Sequence, residues 1–186
     1  MMESPNERHG IFLPIFRVGY LKLLMIFAYS AIAILSFALP AVCSGESVGG
    51  YWFRMAVSHI ADVGHMASIS LYPCTLAGAY TAAMAFAVIV AGAYCFTDFP
   101  KQTFAKLSSA SLGRRFTLLL FALMVIVAPI IHGLPVSSAH RTYGFFQNVA
   151  ESRLYIFLWS VGICSIGFLA WVAVFFEISR IFKRSK

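Results

Sequence analysis

Four long apolar segments alternate with shorter polar segments along this chain of 186 residues. The apolar segments cover about residues 21–42, 66–97, 116–133 and 154–179. A helix needs about 20 residues to cross the hydrocarbon core of a bilayer, and these segments reach or approach that length. Because backbone groups in lipid must be hydrogen-bonded within their own segment, each segment is predicted to be a helix. The pattern predicts an all-α integral membrane protein, a four-transmembrane-helix bundle that forms a single domain over residues 1–186.

The composition supports a membrane protein and argues against a nucleic-acid-binding one. Hydrophobic residues make up 60% of the chain and charged residues 11%, whereas soluble domains carry about 25% charged residues. The net charge of +7 comes from basic residues that flank the apolar segments, with no basic patch of the kind that binds phosphates. We therefore expect contact with membrane lipid and no nucleic-acid partner.

Lysine and arginine residues are distributed unequally between the two sides of a four-crossing arrangement. The N-terminus, the loop between the second and third crossings and the C-terminal tail hold eleven of them, whereas the other side holds three, Arg54, Arg141 and Arg153. Cytoplasmic loops of membrane proteins carry the excess of basic residues. The asymmetry predicts a multi-pass protein of the bacterial inner membrane, with both termini in the cytoplasm and outer loops at about 43–65 and 134–153.

The first predicted outer loop contains the stretch YWFRMAVSHIADVGH, residues 51–65. Polar residues recur in it at helical spacing, and apolar residues occupy the opposite side. The polar set is Arg54, Ser58, Asp62 and His65, and the apolar set is Trp52, Ala56, Ile60 and Val63. This periodicity predicts a short amphipathic helix that lies at the membrane surface, with its polar side toward water or a neighbouring loop.

Four of the five histidines lie on the predicted outer side, so metal or haem binding is an alternative to weigh. They are His59, His65, His132 and His140. Imidazole binds zinc, copper, iron and nickel, and His65 with His132 would suit a haem between two helices. However, no pair has the i, i+4 spacing of a helical zinc site, and neither HExxH nor CxxCH occurs. We expect no metal, no cofactor and no enzymatic activity; a small membrane redox protein that uses these histidines with haem, metal or quinone remains an alternative.

The four cysteines include no CxxC, so the thiol-exchange motif of membrane disulfide oxidases is absent from the sequence. Cys95 and Cys164 lie within or near apolar segments, where a free cysteine acts as a small apolar residue. Cys43 and Cys74 both lie on the predicted outer half. The sequence leaves open whether these two form a disulfide.

The predicted crossings contain no charged residue in their interiors, and Glu177 lies at the inner boundary of the fourth. Transporters, proton pumps and voltage sensors place ionisable groups inside the membrane, because ions need partners there. We therefore do not expect transport by this chain alone.

The second crossing carries a continuous stripe of small residues that repeats every four positions. The stripe consists of Thr75, Ala79, Ala83, Ala87 and Ala91. In lipid, such stripes allow helix backbones to approach closely, and the fourth crossing has a shorter counterpart in Ser160, Cys164 and Gly167. The stripe predicts helix packing, either among the four helices of this chain or with a helix of another protein.

The layout of the chain resembles the larger immunity proteins that protect bacteria from pore-forming colicins. Those proteins have four crossings, both termini inside, a long first outer loop and a short basic tail, here EISRIFKRSK. The stretch RTYGFFQNVAESRLYIFL, residues 141–158, is similar to the Gly-aromatic step that precedes their fourth crossing. The resemblance covers nearly the whole chain in layout, but only this stretch in residues, and no invariant motif is matched.

The resemblance implies an immunity protein that binds a pore-forming bacteriocin in the inner membrane and blocks channel opening. Helix-packing faces would supply contact area, and charged or aromatic groups of the outer loops would distinguish partners. The candidate partner-binding residues are Arg54, His59, Asp62, His65, Arg141, Phe145, Phe146, Glu151 and Arg153. The main alternative is an accessory or assembly subunit of a larger membrane complex, whose small-residue face packs against a bigger partner.

Overall fold

The computed structural model describes residues 13–43, 48–96, 112–131, 148–149 and 151–184. Six α-helices have both ends in these ranges, and the described residues contain no strand. The helices are α1 (Leu13–Ala38), α2 (Val48–His59), α3 (Ala61–Ile69), α4 (Pro73–Phe96), α5 (Leu112–Ile131) and α6 (Arg153–Arg184). Four of them, α1, α4, α5 and α6, are long and apolar enough to cross a membrane. The prediction of an all-α, four-helix membrane bundle is confirmed, and the chain is a multi-pass membrane protein.

The long helices are arranged around a central pair formed by α4 and α6. These two helices pack against each other along most of their length, α1 packs against both, and α5 packs mainly against α6. One buried cluster joins α1, α4 and α6 through Ala28, Ile32, Ala83 and Cys164. The Tyr29 hydroxyl of α1 also lies 2.9 Å from the Ser165 hydroxyl of α6.

The crossing boundaries differ from the sequence-based ones at the start of the second crossing. Residues 66–69 complete α3, and α4 begins only at Pro73. Proline is favoured in the first turn of a helix, because its missing N–H has no helical partner at that position. The membrane-spanning part of α4 is therefore Pro73–Cys95. The helices α1 and α5 begin before their predicted apolar segments and also end earlier, at Ala38 and Ile131, whereas α6 continues to Arg184.

The prediction of one continuous helix over residues 51–65 is wrong. Ile60 has an extended backbone (φ −120°, ψ 102°) and separates α2 from α3. The two helices then pack so closely that a Cβ on Gly64 would lie only 2.9 Å from the Val57 carbonyl oxygen. A glycine at position 64 allows this approach. Arg54 and Ser58 therefore lie on one helix and Asp62 and His65 on another, so these residues do not form a single stacked row.

The helices α2 and α3 cover one end of the bundle. Ala56 of α2 and Val63 and Met66 of α3 are buried in one cluster with residues at the starts of α4 and α6, including Tyr80 and Ile156. We call this end, formed by residues 39–43, α2, α3 and the first turns of α4 and α6, the capped end. The apolar side predicted to enter the membrane surface is thus partly used for packing within the protein.

Candidate interaction site at the capped end

The end of α1 is joined to the start of α4 by a disulfide and a set of hydrogen bonds. Cys43 and Cys74, whose pairing the sequence leaves open, form a disulfide with a Cα–Cα distance of 5.3 Å. The Cys74 amide donates to the Ala41 carbonyl at 3.0 Å. The Thr75 hydroxyl lies 3.3 Å from the Leu39 carbonyl and 3.1 Å from the Pro40 carbonyl. The two helices that cover this end, α2 and α3, both lie in the chain segment between these cysteines, so the disulfide closes a loop that contains them.

Arg153, at the first position of α6, makes a second connection to α1. Its Nη1 donates a hydrogen bond of 2.6 Å to the carbonyl oxygen of Phe37, which lies in the last turn of α1. Carbonyls in the last turn of a helix have no acceptor role within the helix, so an external donor satisfies them. The guanidinium carbon also lies 5.0 Å from the ring centroid of Tyr72, within cation–π range. Arg153, predicted to bind a partner, is thus engaged within the chain.

One side of α2 is exposed and combines aromatic, apolar and basic groups. Tyr51, Trp52 and Met55 are 58%, 62% and 42% exposed, and Arg54 and His59 are also exposed. These residues fall on one helical face, opposite Phe53, Ala56 and Val57, which pack into the core. We call the surface formed by Tyr51, Trp52, Arg54, Met55, Ser58 and His59 the α2 face. The presence of Trp52 on it differs from the sequence-based assignment, which placed this residue on the apolar side.

His59 is held by its own helix. Its Nδ1 lies 2.9 Å from the Met55 carbonyl oxygen and 2.7 Å from the Ser58 hydroxyl. The Ser58 hydroxyl in turn donates to the same Met55 carbonyl at 3.1 Å, so the three groups form one local hydrogen-bonded set near the end of α2. The imidazole is therefore oriented on the exposed side of the helix next to Met55.

The remaining predicted partner-binding residues are placed only in part. Glu151 is exposed and lies just before α6. Asp62 and His65 lie on α3, and their side chains are outside the description. Arg141, Phe145 and Phe146 lie outside the described residues, and so do His140 and the His132 of the haem alternative. Among the described residues, no group of three or more His, Cys, Asp or Glu side chains is arranged to hold a metal ion.

The small-residue stripe of α4 faces the interior of the bundle. Thr75, Ala79, Ala83, Ala87 and Ala91 are all at most 1% exposed. A Cβ added to Gly167 of α6 would lie 3.0 Å from the Cβ of Ala87, and Ser160 and Cys164 of α6 are also buried. Because α6 and α1 already cover this stripe, it serves packing within the chain, and a helix of another protein has no access to it here.

An ion pair between α5 and α6 lies at the end of the bundle opposite the cap. Arg115 is 8% exposed and forms hydrogen bonds to the Glu177 carboxylate from Nε at 3.0 Å and from Nη2 at 2.6 Å. The sequence-based boundary at residue 116 left Arg115 in the loop, and for this reason the pair was missed. The signal was nonetheless present, since opposite charges stand at the same predicted membrane boundary of two crossings.

Comparisons with known protein families, curated proteins and solved structures found no match to this chain.

Proposed function

We propose that this chain is an immunity protein that binds a pore-forming bacteriocin at the outer surface of the bacterial inner membrane and blocks channel opening. The observation that carries the proposal is the α2 face. Aromatic residues and arginine are the residue types that dominate the binding energy of protein interfaces. On the α2 face, Tyr51, Trp52 and Arg54 lie side by side and exposed.

The attachment of the cap supports a recognition role. The disulfide Cys43–Cys74 closes the loop that contains α2 and α3, and the buried residues of both helices pack on the ends of α4 and α6. A surface that is already ordered loses less conformational freedom on binding. Confinement of both proteins to one membrane also raises their effective concentration. A modest contact area on α2 is therefore sufficient for binding.

The proposed orientation places the capped end outside and both termini in the cytoplasm. The excess of Lys and Arg on the opposite side supports it. The disulfide at the capped end supports it independently, because disulfides persist on the oxidising side of a bacterial membrane and are rare in the cytosol. Both features support an α2 face on the side from which a bacteriocin approaches.

The proposal is tested by expressing the chain in sensitive bacteria and challenging them with a panel of pore-forming bacteriocins. We expect protection against one toxin or a narrow group. Trp52→Ala and Arg54→Glu are each expected to lower the toxin dose that the expressing cells survive by about tenfold or more. The reason is that losing an interface hot spot costs about 2 kcal/mol or more of binding free energy. Immunoblots of the membrane fraction establish that each variant is present at the wild-type level.

The matched control is Arg114→Glu, which makes the same charge change at an exposed position of α5 at the opposite end. This variant should protect as well as the wild type. Protection that survives both α2 substitutions would rule out the α2 face as the recognition surface. Absence of protection against a panel that includes the matching toxin would rule out immunity.

The second candidate function is an accessory subunit of a larger membrane complex, and the exposure of α5 favours it. Only 6% of the span Gly113–Ile131 is buried, against 56% of the span Pro73–Cys95. A helix this open offers a long apolar side to a neighbouring subunit. Purification from native membranes in mild detergent distinguishes the two, because a subunit co-purifies in a fixed ratio with the same partners when no toxin is present.

A further inference from the structure

A cleft of about 440 Å³ lies between α4, α5 and α6. Its walls include Met84 and Val88 of α4, Ile126 and Pro129 of α5, and Trp159 and Trp171 of α6. None of the residues that line the cleft is charged. The cleft lies where α5 packs against α6 and is not closely packed against α4.

An apolar cleft of this size is not left empty in a membrane. Protein interiors contain few voids larger than a water molecule, and unfilled apolar volume destabilises the fold in proportion to its size. Water is a poor occupant, because it needs two to four polar partners, and the side chains that line the cleft offer at most the Tyr80 hydroxyl and the indole N–H groups of Trp159 and Trp171. The chemistry of the walls therefore selects hydrocarbon.

The size of the cleft is that of a small-molecule site. Its volume of about 440 Å³ falls in the range of about 300–1,000 Å³ that is typical of such sites, and a single flexible chain of methylene groups fits it.

The cleft is open toward lipid in the half of the membrane nearer the capped end. Its rim includes Ile130 of α5 and Ile166 of α6, which are 42% and 55% exposed. The α5 residues that line it come from the half of that helix next to its end at Ile131. At the other end of α5, the Arg115–Glu177 ion pair joins α5 to α6. An occupant therefore enters sideways from the leaflet at the capped end.

We infer that this cleft binds one acyl chain of a phospholipid from that leaflet. The chain lies along Trp159 and Trp171 and takes the place of the missing contacts between α4 and α5. This site is separate from the α2 face and does not depend on the proposed immunity function.

The test uses contact quenching of tryptophan fluorescence by brominated acyl chains. The protein has three tryptophans, so Trp52→Phe with Trp171→Phe leaves Trp159 as the only tryptophan, which is excited selectively over the tyrosines. This variant is reconstituted into phosphatidylcholine vesicles whose chains are either dibrominated or unmodified. We expect strong quenching of Trp159 in the brominated vesicles.

Filling the cleft identifies the source of that quenching. Ala128→Phe on α5 and, separately, Val88→Phe on α4 place a ring in the cleft, and each is expected to remove most of the quenching. Ala93→Phe, at a half-buried position of α4 that does not line the cleft, is expected to leave it unchanged. Circular dichroism identifies any variant that fails to fold, and the other filling variant then decides. Absent quenching, or quenching that neither filling variant lowers, would overturn the inference.

Discussion

Arg115 is a charged residue that is nearly buried at the edge of the hydrocarbon region, and its environment explains how it is accommodated. A buried charge is costly unless it is paired and hydrogen-bonded. The Glu177 carboxylate accepts hydrogen bonds from both Nε and Nη2 of Arg115, and planar guanidinium groups favour such forked contacts with carboxylates. The pair joins α5 to α6, so its loss affects the position of an entire helix.

Arg115→Met is expected to lower the free energy of unfolding by about 3 kcal/mol, because it leaves the Glu177 charge without its buried partner. The double variant Arg115→Met with Glu177→Leu is expected to recover most of this loss, since an apolar pair of similar volume replaces a buried ion pair at little cost. Unfolding in mixed detergent–SDS micelles measures both.

The control for this prediction is Arg114→Met, which removes the neighbouring exposed charge. Surface substitutions of this kind usually change stability by about 0.5 kcal/mol or less. If Arg115→Met behaves like Arg114→Met, the ion pair does not stabilise the fold.

At the scale of the helices, the packing of α4 against α6 depends on small residues where the two helices meet. Ala87 and Gly167 face each other there, with a Cβ on Gly167 only 3.0 Å from that of Ala87. Within a membrane, water does not drive helices together, so close dispersion contacts provide the attraction. One methyl group at this position is therefore enough to disturb the pair.

Gly167→Ala is expected to lower the free energy of unfolding by about 1–3 kcal/mol through overpacking. Adding Ala87→Gly to it removes the opposing methyl group and should restore much of the stability. The matched control is Gly162→Ala on the same helix, where a new Cβ meets nothing within 4 Å. There the higher helix propensity of alanine predicts no loss and a gain of up to about 1 kcal/mol.

Denaturant titration of the four proteins decides between this account and a general effect of glycine replacement. A loss in Gly162→Ala equal to that in Gly167→Ala would contradict the packing explanation. So would a double variant that is no more stable than Gly167→Ala alone.

At the scale of the whole molecule, the disulfide at the capped end joins the end of α1 to the start of α4. Cys43 and Cys74 are separated by 31 positions, and the loop between them contains α2 and α3. Arg153 attaches the start of α6 to the end of α1 at the same end of the bundle. Three membrane helices and the cap are thereby fixed to one another on one side of the membrane.

Cys43→Ala is expected to lower the free energy of unfolding by about 3–4 kcal/mol, because the unfolded chain is no longer constrained by a closed loop of this length. Cys95→Ala, which removes a free thiol, serves as the control and should have a much smaller effect. Alkylation of the denatured protein should modify Cys95 and Cys164 before reduction and all four cysteines afterwards. Modification of all four without reduction would show that the disulfide does not form.

The sequence by itself determined the four membrane helices and the packing role of the α4 stripe, whereas the structure decided that helices of this same chain cover the stripe. Both follow from local physics: an apolar segment of about 20 residues in lipid has to satisfy its own backbone as a helix. Small residues repeated every four positions then form one continuous packing face. No knowledge of the neighbouring helices is needed for either conclusion.

The tertiary structure alone decided how the capped end is built. Helical periodicity continues through Ile60 in the sequence, and only the extended backbone of Ile60 in the structure shows that the predicted helix of residues 51–65 is two helices, which pack closely at Gly64. The pairing of Cys43 with Cys74 and the contact of Arg153 with Phe37 join positions that are far apart in the chain. Such contacts depend on how the helices are placed relative to one another, and residue patterns within one helix do not contain that information.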